Sequence, residues 1–203
     1  PHDTTRLRSS NKLFDVDMKP SDSVGEQLQG LGIDPGDIRY IVNSHLHFDH
    51  CGGNAEAPNA TVVIQKPEWE AGKMQKLIER DVYNPEDYQL GHAVQQVEGE
   101  HDLFGDGSVL CMPTYGHTPG HQSLVVNSQH GQFLFAADTC YMKETLEQGR
   151  LPRIGYNLEW QKKSLEWIRE RRDAGAKLIY GHDTRQWPAL AKGPDELIEV
   201  VDE

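Results

Sequence analysis

His45-Leu46-His47-Phe48-Asp49-His50 follows directly on the apolar run Tyr40-Ile41-Val42 and crowds four groups able to bind a metal into six residues. Protonated, three imidazoles on one turn would repel each other, and a plain apolar core gives them no reason to converge. Neutral imidazoles with a carboxylate are instead a donor set that suits Zn2+. The stretch therefore predicts a metal centre at the point where a strand hands over to a loop.

The flanking sequence supports that placement. Val24, Leu28 and Leu31 recur at helical spacing, with Ser21, Asp22 and Ser23 as cap candidates and Gly32 as a stop, which predicts a short amphipathic helix. Asp34-Pro35-Gly36 makes a turn, and Arg39 to Ser44 reads as a buried strand delivering His45 at its C-terminal end. Thr61 to Gln65 is a second β-branched run. Pro67 at a first-turn position then opens a helical stretch through Trp69, Met74, Leu77 and Ile78.

Residues 81–90 look irregular. Val94 to Val97, Val109 to Met112 and Gln122 to Val126 read as strands, with a hairpin turn over Asn127 to Gly131. Phe133 to Ala137 reads as a buried strand that ends at Asp138. Leu158 to Ala174 reads as a surface helix capped by Asn157, and Lys177 to Tyr180 as a strand ending at His182. His45, His117, Asp138 and His182 thus all fall at strand ends or in strand-proximal loops, where sheet proteins build sites. His117 sits in Gly116-His117-Thr118-Pro119-Gly120-His121, a Gly/Pro-bounded loop suited to holding a ligand in a fixed direction.

With 203 residues, 36% hydrophobic and 26% charged, the chain can bury a sizeable core, and residues 1–203 read as a single domain. No apolar run approaches the roughly 18 residues a spanning helix needs, so no membrane role is expected. The formal charge of −12 argues against a nucleic-acid partner, whose phosphates call for clustered Lys and Arg. Bound divalent cations would offset part of that acidity. Cys51, Cys111 and Cys140 are odd in number and form no Cys-x-x-Cys pair, which favours a reducing, cytoplasmic setting and a role as small buried apolar residues. The acidic tail after Pro194 reads as a C-terminal helix or frayed end.

The string His-Leu-His-Phe-Asp-His-Cys-Gly-Gly-Asn from His45, with Gly-His-Thr-Pro-Gly-His-Gln-Ser-Leu from Gly116, resembles the metallo-β-lactamase superfamily. Within it the chain is most similar to the N-acyl-homoserine lactonases, through Asp138-Thr139-Cys140-Tyr141 and Tyr180-Gly181-His182-Asp183. The likeness runs from about Val24 to the region of Trp187.

The resemblance implies an α/β fold, an αββα four-layer sandwich of two similar halves, whose opening hairpin strands should precede Val24. Pro1 to Ser23 shows no such pair, so those strands are expected to be missing or trimmed. It further implies two Zn2+ or other divalent cations. His45, His47 and His117 would hold one, Asp49, His50 and His182 the other, and Asp138 would bridge both. A hydroxide shared by the cations would open the ring of an N-acyl-homoserine lactone, with Tyr141 at the substrate carbonyl or leaving oxygen and Asp49 shuttling a proton. Such family members are often homodimers.

Two departures stand out. Tyr115 replaces a proline in the family's Thr-Pro-Gly-His loop, which would reshape the pocket edge, and His47 stands where the di-iron oxidoreductase branch has Glu, which favours zinc over a redox iron pair. The competing readings are another hydrolase of the same fold, acting on a different lactone, a thioester or a β-lactam, and a catalytically silent metal-binding module. His121 is expected to hydrogen-bond within its loop or behind the metal rather than to ligate. His2, His92, His101 and His130 are expected to be solvated, and Met74, Leu77 and Ile78 to pack in the core.

Overall fold

Ser23 does cap the first helix: its hydroxyl accepts the Glu26 N–H, and α1 spans Val24–Gly30. The structure, a computed structural model, describes residues 17–80, 82–152 and 155–186. His2, Trp187, the tail after Pro194 and most of the segment searched for opening strands lie outside the described residues. The chain divides into two compact units, Pro1–Val97 and Glu98–Glu203.

In the first unit, β1 (Tyr40–Val42), β2 (Thr61–Gln65) and β3 (Val94–Val97) form a wholly parallel sheet in that order, with Tyr40 beside Thr61 and Val62 beside Val94. A central parallel strand is covered on both faces, which is why β2 reads as a continuous apolar run with Val62, Val63 and Ile64 buried. Between β1 and β2 lies α2 (Phe48–Cys51), and after β2 come α3 (Lys66–Ala71) and α4 (Gln75–Glu79). Leu46, Cys51, Ile64, Ala71, Tyr83 and Tyr88 make the core of this unit.

Two sequence expectations fail here for local reasons. The single helical stretch through Ile78 is broken at Gly72, where a Cβ would stand 2.8 Å from Leu46 Cδ1 and 3.2 Å from Tyr88 Cε2. Tyr88 also donates its hydroxyl to the Gly72 carbonyl at 2.7 Å. Met74 is consequently exposed, while Leu77 and Ile78 pack against the core as expected. Nor does α1 bury its apolar stripe, since Val24 and Leu31 are exposed. It packs through Gly25, whose N–H donates to Glu56 Oε2 at 2.7 Å and where a side chain would collide with that carboxylate.

The second unit holds a five-stranded sheet, β4 (His101–Asp102), β5 (Val109–Pro113), β6 (Gln122–Ser128), β7 (Gly131–Phe135) and β8 (Lys177–Ile179), in that order. Neighbours run antiparallel through β7, and β8 adds in parallel. The two-residue β4 was not legible. Asp102 shapes the turn that follows it by accepting the N–H groups of Phe104, Gly105 and Gly107. α5 (Lys143–Gln148) precedes α6 (Leu158–Asp173), and Asn157 caps α6 as expected by accepting the Glu159 and Trp160 N–H groups.

Leu165 and Ile168 of α6 join Val125, Leu134, Leu146 and Leu178 in this unit's core. Among the described residues no helix is long and apolar enough to cross a membrane. Ile168 is fully buried, so Ile168→Ala is expected to cost about 2–5 kcal/mol. Equilibrium urea unfolding measures it.

Candidate metal centre

Strand β1 ends at Val42, and the chain then turns through Asn43 and Ser44 into the histidine cluster of the first unit. Asn43 and Asn54 hold that turn from beneath through a reciprocal amide pair, at 3.1 and 2.9 Å, and Asn43 Nδ2 also donates to the His50 carbonyl at 3.3 Å. The Ser44 hydroxyl reaches both His45 Nδ1 at 3.1 Å and His50 Nδ1 at 3.2 Å, so it orients two rings at once. His45 is buried, and its Nε2 lies 3.0 Å from His47 Nδ1. The His45 ring centroid lies 4.5 Å from that of His47 and 4.1 Å from that of His50.

His47 precedes α2, and its carbonyl accepts the N–H groups of both His50 and Cys51, which swings His50 back towards His45. Asp49 is exposed, with Oδ2 3.5 Å from His50 Nε2. A buried carboxylate holds the turn from the other side: Glu68 Oε1 accepts the Leu46 N–H at 3.1 Å and the Tyr83 hydroxyl at 2.9 Å. Ser44, Asn43, Asn54, Glu68 and Tyr83 were not among the expected site residues. Only Asn54, inside the quoted motif, carried a signal.

In the second unit His117, Asp138, His182 and Tyr141 come together. Asp138 is buried between two imidazoles: Oδ2 stands 3.1 Å from His117 Nε2, and Oδ1 stands 3.0 Å from His182 Nε2. The Tyr141 hydroxyl is 3.1 Å from His117 Nδ1, and its ring stacks on His182 at 5.3 Å. His117 is carried by a loop that only glycine permits, because Gly116 has φ +131° and a Cβ there would overlap the backbone of Gln161. The Gly116 and His117 carbonyls accept the N–H groups of Asn157 and Tyr156, tying the loop to the start of α6. Beside it Tyr115 is half-buried, its carbonyl accepting the Ser164 hydroxyl and its phenol pushed up by burial.

β7 stops at Phe135, earlier than its sequence suggests, because the chain bends sharply to present Asp138. Ala137 takes φ +46°, a left-handed conformation costing a side-chain-bearing residue about 1–2 kcal/mol. His182 follows just past the end of β8, beside this bend: Gly181 donates to the Cys140 carbonyl and His182 to the Tyr141 carbonyl. Asp183 anchors the far side by accepting the Lys143 and Arg185 N–H groups.

The donor set fits a divalent metal. In the first unit the His45 and His47 nitrogens approach one another, and in the second the Asp138 carboxylate turns its two oxygens to different imidazoles, nitrogen and oxygen donors of the kind a divalent metal takes. The cysteines stay apart from this chemistry. All three thiols are free and buried, and burial pushes Cys111 up to about 11 and Cys140 up to about 12. Cys51 is raised as well, by burial first and then by Asp87, Asp49 and Glu68. Of the remaining histidines, His92, with Nε2 3.1 Å from the Ala57 carbonyl oxygen, and His101 are both half-buried and so depart from the solvated expectation, whereas His130 is exposed.

These elements belong to a known class. Residues 4–182 match the metallo-beta-lactamase superfamily model, and the chain belongs to that superfamily. Its curated relatives include N-acyl homoserine lactonase AttM of Azorhizobium caulinodans, 32% identical over 188 residues, covering 87% of this chain and 70% of the relative. N-acyl homoserine lactonase AiiA of Bacillus thuringiensis subsp. kurstaki is 33% identical over 182 residues, covering 89% and 70%. Among solved structures, an N-acyl homoserine lactone hydrolase with N-hexanoyl-L-homoserine bound at its catalytic metal centre superposes with a TM-score of 0.74 at 30% identity. That match covers 85% of this chain, which spans 66% of the solved one. The mixed α/β fold expected from the motifs is the metallo-β-lactamase fold.

The bend predicts an asymmetry between glycines. At Gly181 a Cβ would stand 2.5 Å from the Ala137 carbonyl oxygen, whereas at Gly30 it would meet nothing within 4 Å. Thermal melts should therefore show Gly181→Ala destabilised by about 1–3 kcal/mol and Gly30→Ala unchanged or stabilised by up to about 1 kcal/mol.

Proposed function

We propose that this chain is a lactonase that opens the ring of N-acyl homoserine lactones, with residues 1–203 working as one hydrolase domain that holds a pair of divalent cations, zinc first among them. His45, His47 and His117 would hold one cation, Asp49, His50 and His182 the other, and Asp138 would serve both. The observation that carries the reading is Asp138, whose two oxygens face His117 and His182 while Tyr141 lies against both rings. The names of the relatives support the substrate class, and the Asp138-Thr139-Cys140-Tyr141 run supports the lactonase branch.

When bound, the cations supply Lewis acidity and a water acidic enough to react near neutral pH. The chain's own residues do the rest. If His117 ligates through Nε2, its Nδ1 carries the proton and donates to the Tyr141 oxygen, 3.1 Å away. The phenolic hydrogen is then directed towards the substrate, where it can be donated to the carbonyl oxygen as negative charge builds there. Asp49, exposed beside His50, would take the proton of the attacking water and return it to the ring oxygen as the C–O bond breaks. The product is the open N-acyl homoserine, and its new carboxyl group releases acid.

Zinc-loaded protein should release one proton per lactone opened across short and long acyl chains. Tyr141→Phe should lower kcat by about 10- to 1000-fold while leaving zinc content unchanged. Failure to open any acyl-homoserine lactone, with turnover of a thioester or β-lactam in the same panel, would move the assignment to another hydrolase of this fold.

A further inference from the structure

His121 ends the Gly-His-Thr-Pro-Gly-His loop, is fully buried and is left without a role in the reaction above. Its Nε2 accepts the backbone N–H of Asp138 at 3.1 Å. Its Nδ1 lies 2.9 Å from Thr114 Oγ1 and 3.1 Å from Thr139 Oγ1.

The hydrogens around it can be placed one by one. The Ser123 hydroxyl donates to the Ala136 carbonyl at 3.1 Å, so its oxygen accepts from the Thr114 hydroxyl, 2.9 Å away. The Thr139 hydroxyl donates to the Thr114 carbonyl at 3.3 Å. Both threonine oxygens therefore face Nδ1 as acceptors, while the Asp138 N–H faces Nε2 as a donor. A proton on Nε2, in either the other tautomer or the imidazolium, would set two donors against each other in a buried site.

We infer that His121 is a positioning residue for Asp138, locked as the neutral tautomer protonated on Nδ1. Ser123 grips the Ala136 carbonyl and His121 grips the Asp138 N–H, so the pair brackets Ala137, the described non-glycine residue that takes a left-handed conformation. The ends of β5 and β6 thereby hold the bend that turns Asp138 inward. Thr114, Ser123 and Thr139, all buried, carry no metal donor and complete the clamp. The idea rests on the proposed function only in taking Asp138 as a metal ligand.

Two measurements made without substrate test it. In the zinc-loaded and metal-free chains near neutral pH, 15N spectra of the His121 ring should show a protonated Nδ1 and a bare Nε2 coupled to the Asp138 amide. A protonated Nε2 would overturn the inference. Zinc affinity, read by chelator competition, separates positioning from packing: His121→Gln keeps an acceptor near Nε2 and should stay within about threefold of the parent, whereas His121→Phe keeps the ring volume and should lose about 10- to 100-fold. Parent-like affinity in a folded Phe variant, or equal loss in both variants, would contradict it. Should the Phe variant fail to fold, the ring spectrum decides alone. A lactonase assay that fails leaves both readouts standing, so the two proposals fail separately.

Discussion

Imidazole nitrogens and carboxylate oxygens held about 3 Å apart lose the water that would otherwise solvate them, and nothing in an apolar core compensates for that loss. Each unit meets the constraint by fixing backbone. In the first, the reciprocal Asn43–Asn54 pair and the Glu68 carboxylate grip the turn from Asn43 to His50, and the Ser44 hydroxyl sets the His45 and His50 rings. In the second, Gly116 lets the His117 loop press on α6, and the strained bend at Ala137 turns Asp138 inward. The preorganisation is local to each unit and has the same purpose in both: donors aimed before any metal arrives.

The sheets are the means to this end. β1 delivers His45, β5 and β6 flank the loop of His117, β7 runs into the bend before Asp138, and β8 runs into Gly181 and His182. Strand termini free the backbone from the ladder just where a side chain must be aimed, and the strands behind them supply rigidity. The buried thiols fit the same division, because Cys140 lies next to Tyr141 yet packs in the core with Leu134 and Leu178.

Much of this was legible in the residues. The ligand run from His45, the Gly116 loop and the Asp138 and His182 segments all carried a spacing that core packing alone does not produce, and β2, β3, β5, β6 and α6 announced themselves by period and by the Asn157 cap. What stayed hidden depends on close approach between segments distant in sequence. Gly72 breaks a helix because Leu46 and Tyr88 occupy the space its side chain would need, and α1 turns Gly25, not its apolar stripe, towards Glu56. Glu68 falls in the helical stretch that opens at Pro67, and nothing local marks it as a buried acceptor for Leu46 and Tyr83.

The proposed lactonase needs its histidines and carboxylates to hold a pair of cations through nitrogen and oxygen donors alone. Zinc titration of the metal-free chain, followed by X-ray absorption on the loaded protein, tests it most directly. Two zinc ions per chain with nitrogen and oxygen scatterers only are the expected result. A single zinc, or a sulfur ligand from one of the buried cysteines, would contradict it.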